Sequence, residues 1–580
     1  MVRLLPKLYN DACPQLSQEL QYAVACHIQS LLRVEKNRQV ACGAGLLDTM
    51  VSCCQEELRD AHSSLHLPLL RLFEKLASQS IEPNVLRQFL CLRTPQLPLE
   101  SWPGASPAPP LLGHEIGSFQ EGSLSDPPNC PRSPPVSITS RTSENSAAAC
   151  EAATSLIAMT APRNFQPQNT CLAPSFVEFD MSLEGYGCLF LPTLATVLGP
   201  NTEHSISGGI GKGPRMFPPL DGLTFSSWFL ISKRGSAQGA PHPLRFLTLV
   251  RHMARTEEEF VCFAVSFSPE DNCLTVSTEE VPLQPLDFME HICGSSSQSS
   301  VLSQVQFSCA GLLVDGQWHH LAVAAAVEAR KMCIISAYLD GQLLGSAKMQ
   351  YIQLFPGSFA SMDPSTFIDV YGYVATPQVW KQKSSLTWRQ GPMHLFEEAV
   401  SVEIVQHIFR LGPRYCSNFQ AVELQGESSC SKVLTGALVA PEKISFGIHV
   451  MSSSYSTIRS IRDCYGEVDG RLIAKELELA SRDGTTPVYL ARNIAGKLPG
   501  PLRTIGSVAV GQQGTRVFQA CPAAISLNYI GGPTLLLSLL GMAEDDRSMY
   551  ATIKALQSVL SSSTTSENQM SRIGGYQVRG

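Results

Sequence analysis

The chain has 580 residues, which is too long for one ordinary core and corresponds to about three or four domains, or fewer with unstructured linkers. Apolar residues make up 44% and charged residues 16%, so cores can form. The net charge of −7, with no basic stripe, speaks against a nucleic-acid binder. The 19 cysteines are odd in number and scattered, with no C-x-x-C pair, which fits reduced, mostly buried thiols better than a disulfide frame.

The first residues, MVRLLPKLYNDACPQ, lack the apolar run and small-residue cleavage site of a signal peptide. No Asn-x-Ser/Thr acceptor occurs. Together with the cysteine usage this predicts a cytoplasmic location. Residues 1–92 read as helices in a solenoid-like segment. Leu20, Val24, Ile28 and Leu31 share one helical face; Leu47, Met50, Val51 and Cys54 make a second; Leu69, Leu70, Leu72, Phe73 and Leu76 make a third. No fixed repeat period is visible, so a plain bundle stands beside the armadillo or HEAT reading. Residues 93–170 are rich in Pro and Ser, as in SWPGASPAPP, and read as a disordered linker.

Residues 172–395 read as a sandwich of antiparallel sheets. Strands are expected over Leu223–Ile231, Phe260–Phe267, Cys273–Thr278, Trp318–Ala326 and Cys333–Leu339, the last closed by an Asp340-Gly341 hairpin turn. Residues 396–563 read as helical again and solenoid-like, with helices over Glu397–Leu411, Ile458–Cys464 and Leu472–Leu479. Met549, Ile553, Leu556 and Leu560 form the last apolar face. Residues 564–580 read as a loose tail. The uncharged stretch Ala524–Ala543 has bilayer-like length, but Asn528, Gly531-Gly532-Pro533, Thr534 and Ser538 interrupt it. It is read as a turn followed by a buried helix with Pro at its first position, not as a span.

The most informative stretch is DGQWHHLAV, Asp315–Val323. On a strand, neighbouring side chains point to opposite faces, so His319 and His320 cannot converge on one metal ion. Both are read as structural, and Trp318 as filling core volume.

GLTFSSWFLI (222–231), DGQWHHLAV and AYLDGQLLG resemble a concanavalin A-like, laminin-G-type sandwich. NCLTVSTEE (272–280), SNFQAVEL (417–424), EKISFGIHV (442–450) and LRTIGSVAVG (502–511) resemble the lectin-like and flanking regions of BEACH-domain proteins, in the branch with WD repeats and a FYVE finger. The resemblance covers about residues 172–580 well, and residues 1–92 in helical style. It implies a fold class of concanavalin A-like β-sandwich flanked by armadillo- or HEAT-like helices. It also implies a non-catalytic scaffold in endosomal vesicle trafficking, autophagy and antigen handling, peripheral to endosomal or endoplasmic reticulum membranes. BEACH, WD and FYVE parts are missing, so the expectation is an isoform or fragment, and lipid reading by a FYVE finger is not carried over.

Enzymatic patterns fail on their own terms. SGGIGKG (207–213) has Gly213 where a P-loop needs Ser or Thr after the Lys, and neither G-x-S-x-G nor H-E-x-x-H occurs. The runs Glu257-Glu258-Glu259 and Glu279-Glu280 are consecutive and read as solvated strand ends rather than a glycosidase pair. A calcium-assisted lectin is the main alternative, with Asp315, Asp340, Asp363 and Asp369 as the only contributors in the region; a hydrolase comes third. No residue is assigned as catalytic, cofactor-binding or metal-ligating, and no cofactor is expected. The partners expected are trafficking or autophagy proteins, with no nucleic acid and no transmembrane span.

Overall fold

Helices occupy both ends of the chain and strands its middle, in a computed structural model that describes residues 1–92, 138–160, 174–197, 217–235, 242–253, 258–286, 303–328, 331–353, 368–420, 422–424, 434–464, 470–494, 508–511 and 513–577. Seven helices come first: α1 (Pro14–Leu31), α2 (Glu35–Gly43), α3 (Leu46–Cys53), α4 (Gln55–Arg59), α5 (His66–Ala77), α6 (Pro83–Cys91) and α7 (Ile138–Thr160). Then come β1 (Phe176–Asp180), β2 (Gly187–Val197), β3 (Leu223–Lys233), β4 (Leu244–Met253), β5 (Glu258–Ser268), β6 (Cys273–Ser277), β7 (Val281–Pro282), β8 (Gln304–Ser308), β9 (Trp318–Val327), β10 (Met332–Leu339), β11 (Gln342–Gln350), β12 (Ile368–Thr376) and β13 (Thr387–Phe396). After α8 (Val402–Leu411) follow β14 (Val422–Leu424), β15 (Leu434–Gly436), β16 (Ile444–Ile448) and β17 (Ser453–Ser456). Next are α9 (Ile458–Cys464), α10 (Gly470–Glu476), β18 (Val488–Arg492), β19 (Val508–Gly511) and β20 (Thr515–Phe518). The chain then closes with α11 (Ala523–Tyr529), α12 (Pro533–Met542), α13 (Asp546–Ser562) and α14 (Thr564–Arg572).

Two units result, Pro174–Gln519 and a second built from both ends, Met1–Ala173 with Ala520–Gly580. In the helical unit, α3 and α5 bury the expected faces: Leu47, Met50, Val51 and Cys54, then Leu69, Leu72, Phe73 and Leu76. On α1 the stripe is rotated from the expected one. Gln21, Ala25, Ile28 and Leu32 are buried while Leu20 and Leu31 are about half exposed. Gln21 is drawn inward because its Nε2 donates to Leu5 O at 2.8 Å, satisfying an acceptor no apolar side chain could. The same reversal occurs on α13, where Ala551, Ala555 and Val559 are buried and Met549 and Ile553 face out.

The reason lies in α7, within the stretch read as a disordered linker. Residues 138–160 are Ala-rich and helical, with Ala153, Leu156 and Met159 buried in the same core as Ala551, Ala555 and Val559. Small residues on both helices allow close approach. Polar bonds fix the pairing: Ser146 Oγ donates to Asp545 Oδ2 at 2.5 Å, and Thr160 Oγ1 lies 2.8 Å from Ser558 Oγ. The remaining linker residues, 93–137 and 161–170, lie outside the described residues. The tail also differs from its reading. α14 is capped by Ser563, which accepts from Ser566 N, and buries Met570. Among the described residues no single helix is long and apolar enough to cross a membrane; α11 and α12 pass such a test only as a pair bent by 89°. The bend is at Gly531-Gly532, both with positive φ, and Pro533 opens α12 as expected.

The other unit is a β-sandwich. Among the described residues one sheet has the order β11-β10-β9-β3-β13-β1-β20, with β16 also on β13. The other runs β17-β18-β19-β2-β12-β4-β5-β6-β8, with β7 on β5, and the pairings in both are antiparallel. Alternate residues fill the space between them, with Phe225, Phe229, Ile231, Leu321, Val323 and Ile335 of the first sheet in one core with Phe246, Phe263, Val265, Phe267 and Val370 of the second. The β9-β10-β11 meander is as read from the sequence. Asp340 and Gly341 both have positive φ, as a two-residue type I′ turn demands.

Residues 396–519, read as purely helical, instead complete both sheets with β16 to β20. These strands are only four or five residues long, so their local pattern is too short to separate from a helical one, and β19 and β20 find partners, β2 and β1, more than 300 positions away. The helices between them cover the outer sheet faces: α8 packs over Ala322, Ala324 and Phe396, and α9 and α10 over Phe190, Val250, Tyr371 and Tyr373. Burial on both faces explains why LTFSSWFLI runs apolar without alternation.

Candidate functional site: two histidines on opposite faces of one strand

β9 sends His319 toward the inter-sheet core and His320 to the outer face under α8. His319 Nδ1 lies 2.7 Å from Asp340 Oδ2, while its Nε2 receives the Val314 backbone N–H at 3.1 Å. Asp340 Oδ1 accepts from His320 N at 2.8 Å, and Asp340 N donates to His320 O at 2.8 Å. This His–Asp pair has the look of two members of a catalytic triad. The position a nucleophile would take on Nε2 is filled by Val314 backbone, so the pair ties the β10–β11 turn to β9 and the loop before it.

His320 is fully buried. Its Nε2 is 2.9 Å from Ser226 Oγ, its ring packs on Trp228 at 5.2 Å and faces Phe409 of α8 at 6.3 Å, and its Nδ1 has no hydrogen-bond partner. Burial, against the pull of Asp340, pushes its pKa down to about 4. On the same outer face lies His394 of β13, against Phe419 at 4.6 Å, with Nε2 also unpartnered. Burial and the neighbouring His449 and His320 imidazoles push it down to about 3. His449 is lowered as well, by burial. The sequence reading took up His320 but not this cluster, because His394 and His449 are far away in the chain and only strand pairing assembles them. Trp318 is only partly buried and lies 6.2 Å from Phe176, so it does not fill the core as expected.

No group of three or more His, Cys, Asp or Glu among the described residues has the geometry to hold a metal ion. The aspartates considered for calcium are apart. Asp315 pairs with Arg234 at 2.8 Å, Asp340 is engaged by His319, Asp369 sits on β12 of the other sheet, and Asp363 lies outside the described residues, as do Ser207–Gly213 and Glu257. Glu280, read as solvated, instead pairs at 2.5 Å with Arg251, which is 1% exposed.

On the outer face of the second sheet burial pushes the Glu476 carboxyl up to about 7, partly offset by a Tyr373 hydroxyl bond. A carboxyl raised in the fold penalises folding above its unfolded pKa of 4.5, increasingly up to pH 7. Glu476→Gln is therefore expected to stabilise the chain at pH 8 by roughly 1–3 kcal/mol and to change nothing at pH 4, read by urea unfolding.

No family model matches the chain. Over its entire length it is 55% identical to human and 54% identical to mouse WD repeat- and FYVE domain-containing protein 4. The chain is homologous to WD repeat- and FYVE domain-containing protein 4. It spans 18% of the length of these relatives. Over 71% of the chain it is 22% identical to 11% of Protein SPIRRIG of Arabidopsis thaliana. Among solved structures it is similar, with a TM-score of 0.21, to the binding domain of botulinum neurotoxin DC in complex with rat synaptotagmin II. That match has 10% identity and covers 35% of this chain and 38% of the other. A Bacteroides ovatus protein described as carbohydrate binding matches with a TM-score of 0.26 and 8% identity, covering 61% and 62%. Similarities this low carry no argument about ligand or activity.

Proposed function

We propose that this chain is a non-catalytic scaffold segment acting in endosomal vesicle trafficking and autophagy, and in antigen handling in immune cells. In this reading the sandwich is concanavalin A-like and the helical unit armadillo-like. Both present surfaces to trafficking or autophagy proteins at the cytoplasmic side of endosomal or endoplasmic reticulum membranes. The observation that carries the reading is the whole-length identity to WD repeat- and FYVE domain-containing protein 4. The closed His319–Asp340–Val314 arrangement supports it, because the one His–Asp pair singled out on β9 is spent on holding a turn.

The test is affinity capture of the 580-residue chain from an immune-cell lysate, washed with or without free sugars and read by mass spectrometry. Vesicle-trafficking or autophagy proteins retained regardless of sugar are the expected outcome. A bound set of glycoproteins released by sugar overturns the scaffold reading in favour of a lectin.

A further inference from the structure

α9 is amphipathic over a short span. Ile458 and Ile461 are buried against the second sheet, which leaves Arg459 and Arg462 side by side at i and i+3 on the opposite, exposed face. The chain returns to this face after α10. Arg459 N donates to Asp483 O at 2.9 Å and Arg462 Nη1 donates to Ser481 O at 3.0 Å, and these two bonds bring Arg482 alongside. Arg459, Arg462, Asp463 and Arg482 line a cleft of about 360 Å³. Among the described residues none of the three guanidiniums is in an ion pair, in a chain whose overall charge is −7.

The carboxylate next in sequence is turned to another task. Asp483 Oδ1 accepts from Thr485 N at 2.7 Å and Thr486 N at 3.0 Å, its Oδ2 accepts from Thr486 Oγ1 at 2.6 Å, and it does not line the cleft. Among the described residues Asp463 is therefore the one acidic lining residue against three basic ones. Gly470 opens α10 directly under the Arg462 stem, where any Cβ would collide with Arg462 Cγ and Cδ. A guanidinium presents planar, forked donors that match phosphate oxygens in pairs, and three converging on one cleft exceed what a single carboxylate would require. The volume is at the small end of ligand pockets.

The geometry points to this cleft as a binding site for a phosphate-bearing ligand of the size of an inositol phosphate, held by Arg459, Arg462 and Arg482. This goes beyond the scaffold reading and does not depend on it. The same chemistry is offered by a soluble inositol phosphate and by a lipid headgroup, and two assays separate them. Inositol 1,4,5-trisphosphate is titrated calorimetrically into the 580-residue chain. The chain is also sedimented with phosphatidylcholine vesicles containing phosphatidylinositol 4,5-bisphosphate, with phosphatidylserine vesicles as the control for diffuse charge.

Arg459→Gln and Arg482→Gln are the variants, since both side chains are exposed and Arg462 also serves the loop. Each is expected to weaken binding about tenfold, the loss of one charge-assisted contact, with unchanged thermal unfolding. Arg482→Lys should restore part of it. Gly470→Ala should weaken it through Arg462 alone. Binding in both assays that the variants abolish assigns a membrane-accessible headgroup site, and binding in solution only assigns a soluble ligand. No binding, binding that survives Arg459→Gln with Arg482→Gln, or vesicle binding matched by phosphatidylserine overturns the proposal.

Discussion

Acidification from pH 7 to pH 5 is expected to cost the sandwich unit about 4 kcal/mol through His320 and His394 alone, roughly 2 kcal/mol from each. Both are neutral in the fold, with pKa values pushed down to about 4 and about 3, against 6.5 for a free imidazole. Between 6.5 and these lower values the unfolded chain takes up protons that the folded chain refuses, so stability falls as pH falls. Neither ring can accept its second proton without placing charge under α8, among Trp228, Phe409 and Phe419. His242, held to about 4 by burial and by Arg245, adds to the same trend, whereas Glu476 relaxes in the opposite sense over this window.

The measurement that isolates the pair is urea unfolding of the native chain and of H320Q/H394Q at several pH values, followed by tryptophan fluorescence. Four of the five tryptophans, Trp228, Trp318, Trp380 and Trp388, lie in the sandwich unit, so the signal reports on it. The quantity compared is the slope of stability against pH below 6.5. Equal slopes in the two proteins would show that these imidazoles do not resist protonation, and that the outer face of the first sheet is wetter than described.

The second large effect is at Glu178. It is 3% exposed on β1 and lies directly between Arg389 of β13 and Arg516 of β20 in the strand register. Arg389 Nε is 3.1 Å from Oε2, and Arg516 reaches both oxygens at 2.9 and 2.8 Å. Both guanidiniums also pack on the Phe176 ring. Burial works against the carboxylate's charge, but the two arginines hold its pKa below the ordinary value. Its contribution is therefore present above that value and is lost in acid as the pH falls through the lowered pKa.

Glu178→Ala leaves two half-desolvated cations facing each other and is expected to cost about 3–5 kcal/mol. The loss should appear first as faster hydrogen exchange over residues 515–518, because β20 is an edge strand held on β1. Replacing all three charged residues with apolar ones of similar volume is expected to recover most of the loss, since the penalty comes from desolvated charge rather than from a missing attraction. A cost below about 1 kcal/mol for Glu178→Ala would mean the triad is solvated and its geometry incidental.

These two sites illustrate how far the primary structure reaches. The strands of the first sheet were legible because Leu223–Ile231 is long and rich in β-branched and aromatic residues, Trp318–Ala326 is a long run between turn signals, and Asp340-Gly341 names its own turn type. Alternation alone separates His319 from His320, so the two imidazoles cannot converge on one metal ion. The helices α3, α5 and α9 were likewise readable from local period.

What only the tertiary structure decided depends on partners distant in the chain. α7 looked unstructured because Ala and Ser provide little apolar signal, yet its Ala face is buried against α13, about 400 positions away, where small side chains pack better than large ones. On α1 and α13 the most apolar face is not the buried one, because a hydrogen-bonded Gln21 and a close helix contact outweigh side-chain size. The short strands β16, β20 and β19 are placed by pairing with β13, β1 and β2, and β18 and β17 extend the second sheet from β19. The histidine cluster and the Glu178 triad follow from strand pairing, and the arginine cleft from the bonds that tie the 481–483 loop to α9. Local sequence determines which conformation a segment prefers, while desolvation and long-range hydrogen bonding determine which of its faces is covered and which charges meet.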